Sequence, residues 1–161
     1  MNFQRLFNES KGQPILYKYK WIFLSDKMDV LGKIVKVEYE ILNTNSEWIQ
    51  GIMFKGVGVF EVNGSKNKMK TLRDGIVFWE NTAPQKLAFL FQPKEMELHI
   101  YNVWKRSEKS YTDAWTNGAA MYKELLDNKI IYHCNDGHPN DDFSDLTFSI
   151  KIEIVDSITD W

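Results

Sequence analysis

The sequence predicts an all-β fold, mostly an antiparallel, jelly-roll-like β-sandwich with a short N-terminal helix. Three observations carry that prediction. Aromatic residues make up 14% of the 161-residue chain, as ten Phe, seven Tyr and six Trp, and such rings fit a pleated, half-buried surface. Apolar and polar residues alternate with a period of two in one run after another. No sustained alternation of strand-like and helix-like runs appears, which argues against a parallel βαβ layout.

Phe3, Leu6 and Phe7 recur at helical spacing ahead of "SKGQP", so the N-terminus is a short capping helix. In "ILYKYKWIFL" the period changes to two, with Tyr17, Tyr19, Trp21 and Phe23 on one face and Lys18 and Lys20 on the other. "SDKMDVLGK" reads as a turn. "KIVKVEYEIL" repeats the alternation with Val35, Val37, Tyr39 and Ile41 on one side, so these two runs are expected to pair as a hairpin or meander step. Gly51, Gly56 and Gly58 interrupt the next strand-like segment and mark bulges, curvature or close backbone approach. Asn63-Gly64 is a turn signal.

"GIVFW" and "KLAFLF" read as short apolar strands, and "MELHIYNVW" sets Met96, Leu98 and Ile100 against Glu97, His99 and Tyr101. Residues 119–126, "AAMYKELL", are open between a short helix and one arm of a hairpin turning at Asp127-Asn128 into "IIYHC". The strand character of the neighbouring runs favours the hairpin. "LTFSIKIEI" alternates most cleanly, with Leu146, Phe148, Ile150, Ile152 and Ile154 inward. About eight or more strands spaced about a dozen residues apart suit a sandwich or barrel. No repeat, low-complexity tract or linker divides the chain, so residues 1–161 read as one domain.

Twenty basic against 22 acidic residues give a formal charge of -2. That balance exerts no overall pull toward nucleic acid or anionic lipid. No stretch approaches the roughly 18 apolar residues of a membrane span, and the N-terminus lacks the charged and apolar regions of a signal peptide. The single cysteine, Cys134, excludes an intrachain disulfide and every Cys-x-x-Cys motif. A cytoplasmic location is therefore expected, although a mature secreted chain would read the same way. No phosphate-binding loop, dinucleotide fingerprint or Gly-x-Ser-x-Gly elbow is present, which places binding ahead of catalysis.

The stretch "CNDGHPNDDFSDLTF", residues 134–148, concentrates polar oxygen donors. Asp136, Asn140, Asp141, Asp142 and Asp145 have the oxygen chemistry of a calcium loop. "NDDFSDLTF" resembles the Asp-x-Asp-Phe-Asn-Asp-Leu-Val loop near the end of some bacterial extracellular β-sandwich domains. Asp142, Phe143, Asp145 and Leu146 match it, whereas Asn140, Ser144 and Thr147 depart from it. The resemblance implies a calcium-linked loop with reduced ligand charge. Three other readings stand beside it: a solvated turn built from turn-forming residues, an acid–base pair of Asp136 with Asp142, and a zinc site using His133, Cys134, Asp136 and His138. On a strand, however, His133 and Cys134 face opposite sides, and Cys134 suits core packing.

Trp79, Trp104 and Trp115 fall at strand ends or in loops beside polar residues such as Asn117, and His99 lies on the polar side of its strand. Indole faces of this kind stack on sugar rings while polar neighbours hold hydroxyls. Packing is the alternative role for each ring. The leading expectation is a non-catalytic β-sandwich that binds a carbohydrate or similar small polar molecule, with calcium in the acidic loop. A protein–protein module of inhibitor or immunity type, meeting a basic partner through that loop, is the second. A barrel-type metal-dependent enzyme using His99, His133 and the aspartates is the third.

Overall fold

The computed structural model describes residues 2–30 and 32–155. In chain order the elements are α1 (Gln4–Glu9), β1 (Ile15–Tyr17), β2 (Lys20–Ile22), β3 (Asp26–Asp29), β4 (Val35–Thr44), β5 (Ile49–Lys55), β6 (Gly58–Val62), β7 (Ser65–Met69), β8 (Ile76–Trp79), β9 (Lys86–Pro93), β10 (Glu97–Lys105), β11 (Ala120–Leu125), β12 (Ile130–Asn135) and β13 (Leu146–Ile154). Strands account for 53% and helix for 4%, so the fold is all-β. Among the described residues a seven-stranded sheet, β11-β12-β13-β4-β9-β6-β7, faces a four-stranded sheet, β3-β10-β5-β8, and β1-β2 form a separate hairpin. The sandwich is unequal, seven strands against four.

Period-two burial builds the layers. Val35, Val37, Tyr39 and Ile41 all point inward from β4. They meet Ile52, Phe54 and Phe78 of the smaller sheet in one apolar cluster. Aromatic edges interlock across the gap, Tyr39 with Phe78 at 4.7 Å and Phe54 with Phe89 at 5.0 Å between centroids. Burial of each such side chain contributes roughly 1.5–3 kcal/mol, so this layer supplies the main driving force. Between Thr147 and Phe148 the β13–β4 register slips, pairing Thr147 with Asn43 but Phe148 with Ile41. Leu42 is the extra residue of that bulge and faces solvent at 40% exposure.

Close approach explains two of the glycines that interrupt the strand-like run. Gly58 adopts φ +149°, and a Cβ there would sit 2.2 Å from the Gln92 carbonyl oxygen. At Gly51 a Cβ would meet the Trp79 ring at 2.7 Å. Asn63 and Gly64, both at positive φ, close the β6–β7 hairpin as the turn signal predicts.

Three local expectations are corrected. "ILYKYKWIFL" is not one strand: Lys18 and Tyr19 take φ of 46° and 67°, and Tyr17 pairs with Lys20 across a two-residue turn. The hairpin folds back because Tyr17 and Ile22 pack with Phe3, Phe7 and Phe143 in a second small core, with Phe3 edge-on to Tyr17 at 4.9 Å. "SDKMDVLGK" contains β3, an edge strand on β10 whose charges suit an unpaired edge. The 15–24 and 33–42 runs are therefore not partners; β4 lies between β13 and β9.

Within residues 119–126, Ala120–Leu125 form a strand, not a helix. β11 pairs with β12, and the Leu126 N–H donates to the Lys129 carbonyl (2.9 Å) around the turn. Burial of Ala120 and Met121, with the reciprocal Phe23–Met121 backbone bonds of 2.9 Å, overrides the helical propensity of "AMYKEL".

Candidate ligand groove and the acidic loop

The acidic loop turns its carboxylates in different directions. Asp136 and Asp145 are buried between the sheets, at 0% and 2% exposure. Asp136 accepts hydrogen bonds from Ser46 Oγ (2.6 Å), Gln50 Nε2 (3.0 Å) and its own turn's His138 N–H (2.9 Å). Asp145 Oδ2 accepts from the Asp136 N–H (2.9 Å), which places the two carboxyl groups side by side. Burial, with the Asp136 charge beside it, pushes the Asp145 carboxyl up to about 7.

Asp141 points the other way. Its Oδ2 accepts from Tyr17 OH (2.6 Å) and Lys18 Nζ (2.9 Å), and these bonds hold its carboxyl below the usual range. Asp142 accepts only from the Ser144 N–H (3.2 Å) among the contacts described and lies exposed. Asn140 contributes its backbone oxygen to Asn135 Nδ2 (3.1 Å). Asn135 Oδ1 in turn fixes the Phe143 N–H (2.7 Å), with Phe143 at φ +54° and its ring against Phe3 and Tyr122.

Protein donors thus reach oxygens of Asp136, Asp141, Asp142 and Asp145. Among the described residues, no three His, Cys, Asp or Glu side chains come together as metal ligands would. The loop fastens the β1–β2 hairpin to the end of the sandwich. Millimolar calcium is therefore expected to leave the melting temperature unchanged; a rise of several degrees would restore the cation-site reading. Asp142 is exposed, and the Asp141 side chain is 36% exposed while paired with Lys18.

Cys134 is fully buried in the main core, and burial pushes its thiol up. His133 faces outward, stacked on Tyr122 at 4.6 Å and hydrogen-bonded to Glu124. His138 stacks on Trp48 at 3.7 Å, away from both.

Of the predicted ligand-contacting residues, Trp104 is corrected. It is 1% exposed, on the inward face of β10 with Leu98 and Ile100, and no ligand reaches its ring. Trp79, His99 and Trp115 do share a region, the outer face of the four-stranded sheet around Tyr101. Trp115 lies on Tyr101 at 4.6 Å, donates from Nε1 to the Leu24 carbonyl (3.2 Å) and stays 44% exposed. Trp79 lies over Gly51 and is covered by the Lys105 ammonium, 4.5 Å from its ring. His99 Nε2 is 3.1 Å from Glu97 Oε2 without hydrogen-bond alignment. Asn117 is elsewhere, pinning α1 through its N–H to Gln4 Oε1 (3.1 Å) and its carbonyl to the Gln4 N–H (2.9 Å).

One concavity was not indicated by sequence patterning. A groove of about 1270 Å³ runs between the β1–β2 hairpin, the start of β3 and the β11 edge. Tyr19, Trp21, Phe23 and Tyr122 supply its aromatic surface, and Ser25, Asp26 and Lys123 its polar one. Asp26 is fixed by Lys123 Nζ (3.1 and 3.0 Å to its two oxygens) and Tyr132 OH (2.6 Å). Burial and the Asp26 charge raise the Tyr132 phenol, which therefore stays a neutral donor. Lys20 sits 4.2 Å above the Tyr122 ring. Ser25 Oγ is buried with no hydrogen-bond partner among the described residues.

The groove exists because the hairpin turns back at Lys18-Tyr19, lifting Tyr19 and Trp21 off the body. The available signal was the polar "KYK" step, which offered a place for a turn inside an apparent strand. Comparisons with family models, curated proteins and solved structures find no match to this chain.

Proposed function

We propose that this protein is a non-catalytic β-sandwich that binds a carbohydrate or similar ring-shaped polar ligand in the hairpin groove. The observation that carries this reading is the exposure of Trp21 and Tyr19, at 62% and 100%, beside a groove with fixed polar groups. Leaving large rings in water forgoes roughly 1.5–3 kcal/mol each, a gain that a stacked ligand recovers. The Asp26–Lys123–Tyr132 network holds its polar atoms in place before binding, which lowers the ordering cost of recognition.

The test is a screen of neutral and acidic oligosaccharides against the wild type and Trp21→Ala, followed by titration calorimetry. A ligand that binds the wild type is expected to lose about tenfold or more in affinity in Trp21→Ala. The variant should unfold within about 1 kcal/mol of the wild type, because the ring is mainly solvated. Undiminished binding in Trp21→Ala would remove the groove from the account.

A further inference from the structure

We propose a second, separate site, an oxyanion pocket formed by Lys68, Lys70 and Lys94, that takes a phosphate or sulfate ester. A depression of about 470 Å³ lies at the other edge of the seven-stranded sheet, where these lysines meet Val59, Met69 and Pro93. No carboxylate lines it. None of the three lysines forms an ion pair among the described residues. The chain as a whole carries -2, yet residues 65–73 hold Lys66, Lys68, Lys70 and Arg73 with no acidic residue.

The lysines rise from fixed backbone. β7 is paired along its length with β6. Lys70 is tied by its N–H to Asp74 Oδ2 (3.0 Å), and Lys94 by its N–H to the Val57 carbonyl (2.8 Å). Gly58 permits the close passage beside Gln92 and Pro93 that brings Lys94 to the pocket. Lysines on an edge strand discourage strand addition, and that role would account for Lys66 and Lys68. It does not account for Lys70 and Lys94, which lie beyond their strands and still turn to the same depression. Three lysines around one depression with no carboxylate in its lining give it a positive potential, which a multiply charged oxyanion would neutralise.

The probe is inorganic tripolyphosphate, followed by amide chemical shifts. Saturable shifts are expected at residues 68–70 and 92–94. Affinity should weaken between about 50 and about 300 mM NaCl, and fall about tenfold in Lys68→Gln/Lys70→Gln/Lys94→Gln. The control Lys11→Gln/Lys33→Gln/Lys109→Gln removes the same charge at exposed positions elsewhere and should bind like the wild type. Equal weakening in the control would reduce the effect to net charge, and absence of saturable shifts would remove the pocket. Binding to phosphatidylglycerol vesicles without a tripolyphosphate response would assign the patch to a lipid surface and overturn the proposal.

Discussion

Replacing Trp104 with alanine is expected to destabilise the protein by about 3–5 kcal/mol, the range for removing a fully buried large aromatic side chain. The ring is 1% exposed on the inner face of β10, opposite the fully buried Gln50 of β5, with its edge against Gly137. Its backbone is bonded in both directions to Asp113, 3.1 and 2.8 Å, so the strand cannot shift to fill the space. A domain of this size loses about 2–4 °C of melting temperature per kcal/mol, giving a drop of about 6–20 °C. Denaturant and thermal unfolding would measure it. A loss under about 1 kcal/mol would mean that Trp104 is an exposed, ligand-facing ring after all.

Asp145→Asn is expected to change how stability depends on pH. Because the folded-state value of Asp145 is raised to about 7 from an unfolded value near 3.9, the folded form holds a proton that the unfolded chain has released. Stability from this group is therefore greatest below about pH 4 and is lost as pH rises to about 7, after which the curve is flat. Asparagine mimics the protonated acid: its oxygen can accept from the Asp136 N–H, and its amide can donate to the Asp136 carboxylate. The variant should lack the slope between about pH 4 and 7 and be more stable than the wild type above pH 7, by about 1–3 kcal/mol. Asp141 contributes with the opposite sign in a more acidic window, since its lowered value makes stability fall as pH drops below the unfolded carboxylate value. Chemical denaturation at several pH values would separate the two. The same slope in wild type and Asp145→Asn would contradict the raised value of Asp145.

Alternation made the sheet legible wherever one face is buried and the other is wet. In β4 and the first half of β13 a one-residue slip would carry Val37, Tyr39 or Phe148 into water, so sequence and burial coincide. The same logic reached further than expected in β10. Leu98, Ile100 and Trp104 are spaced by even numbers of residues and share the inward face, although Tyr101 and Val103 on the other face are buried as well.

What could not be read depends on contacts between distant segments. The turn at Lys18-Tyr19 lacks glycine and asparagine, and the hairpin is bent back by packing on Phe3 and Phe143. β3 is disguised by charges that an edge strand tolerates. Five oxygen-bearing residues close in sequence imply a shared cage, but their partners Tyr17, Lys18, Ser46 and Gln50 come from far along the chain and draw them apart.

The hairpin groove as the ligand site is tested most directly by mapping amide and aromatic chemical shifts while the best oligosaccharide from the screen is titrated into the wild type. Shifts are expected to cluster at Tyr19, Trp21, Ser25, Tyr122 and Lys123. Shifts confined to Trp79, His99 and Trp115, or to residues 136–145, would contradict the assignment.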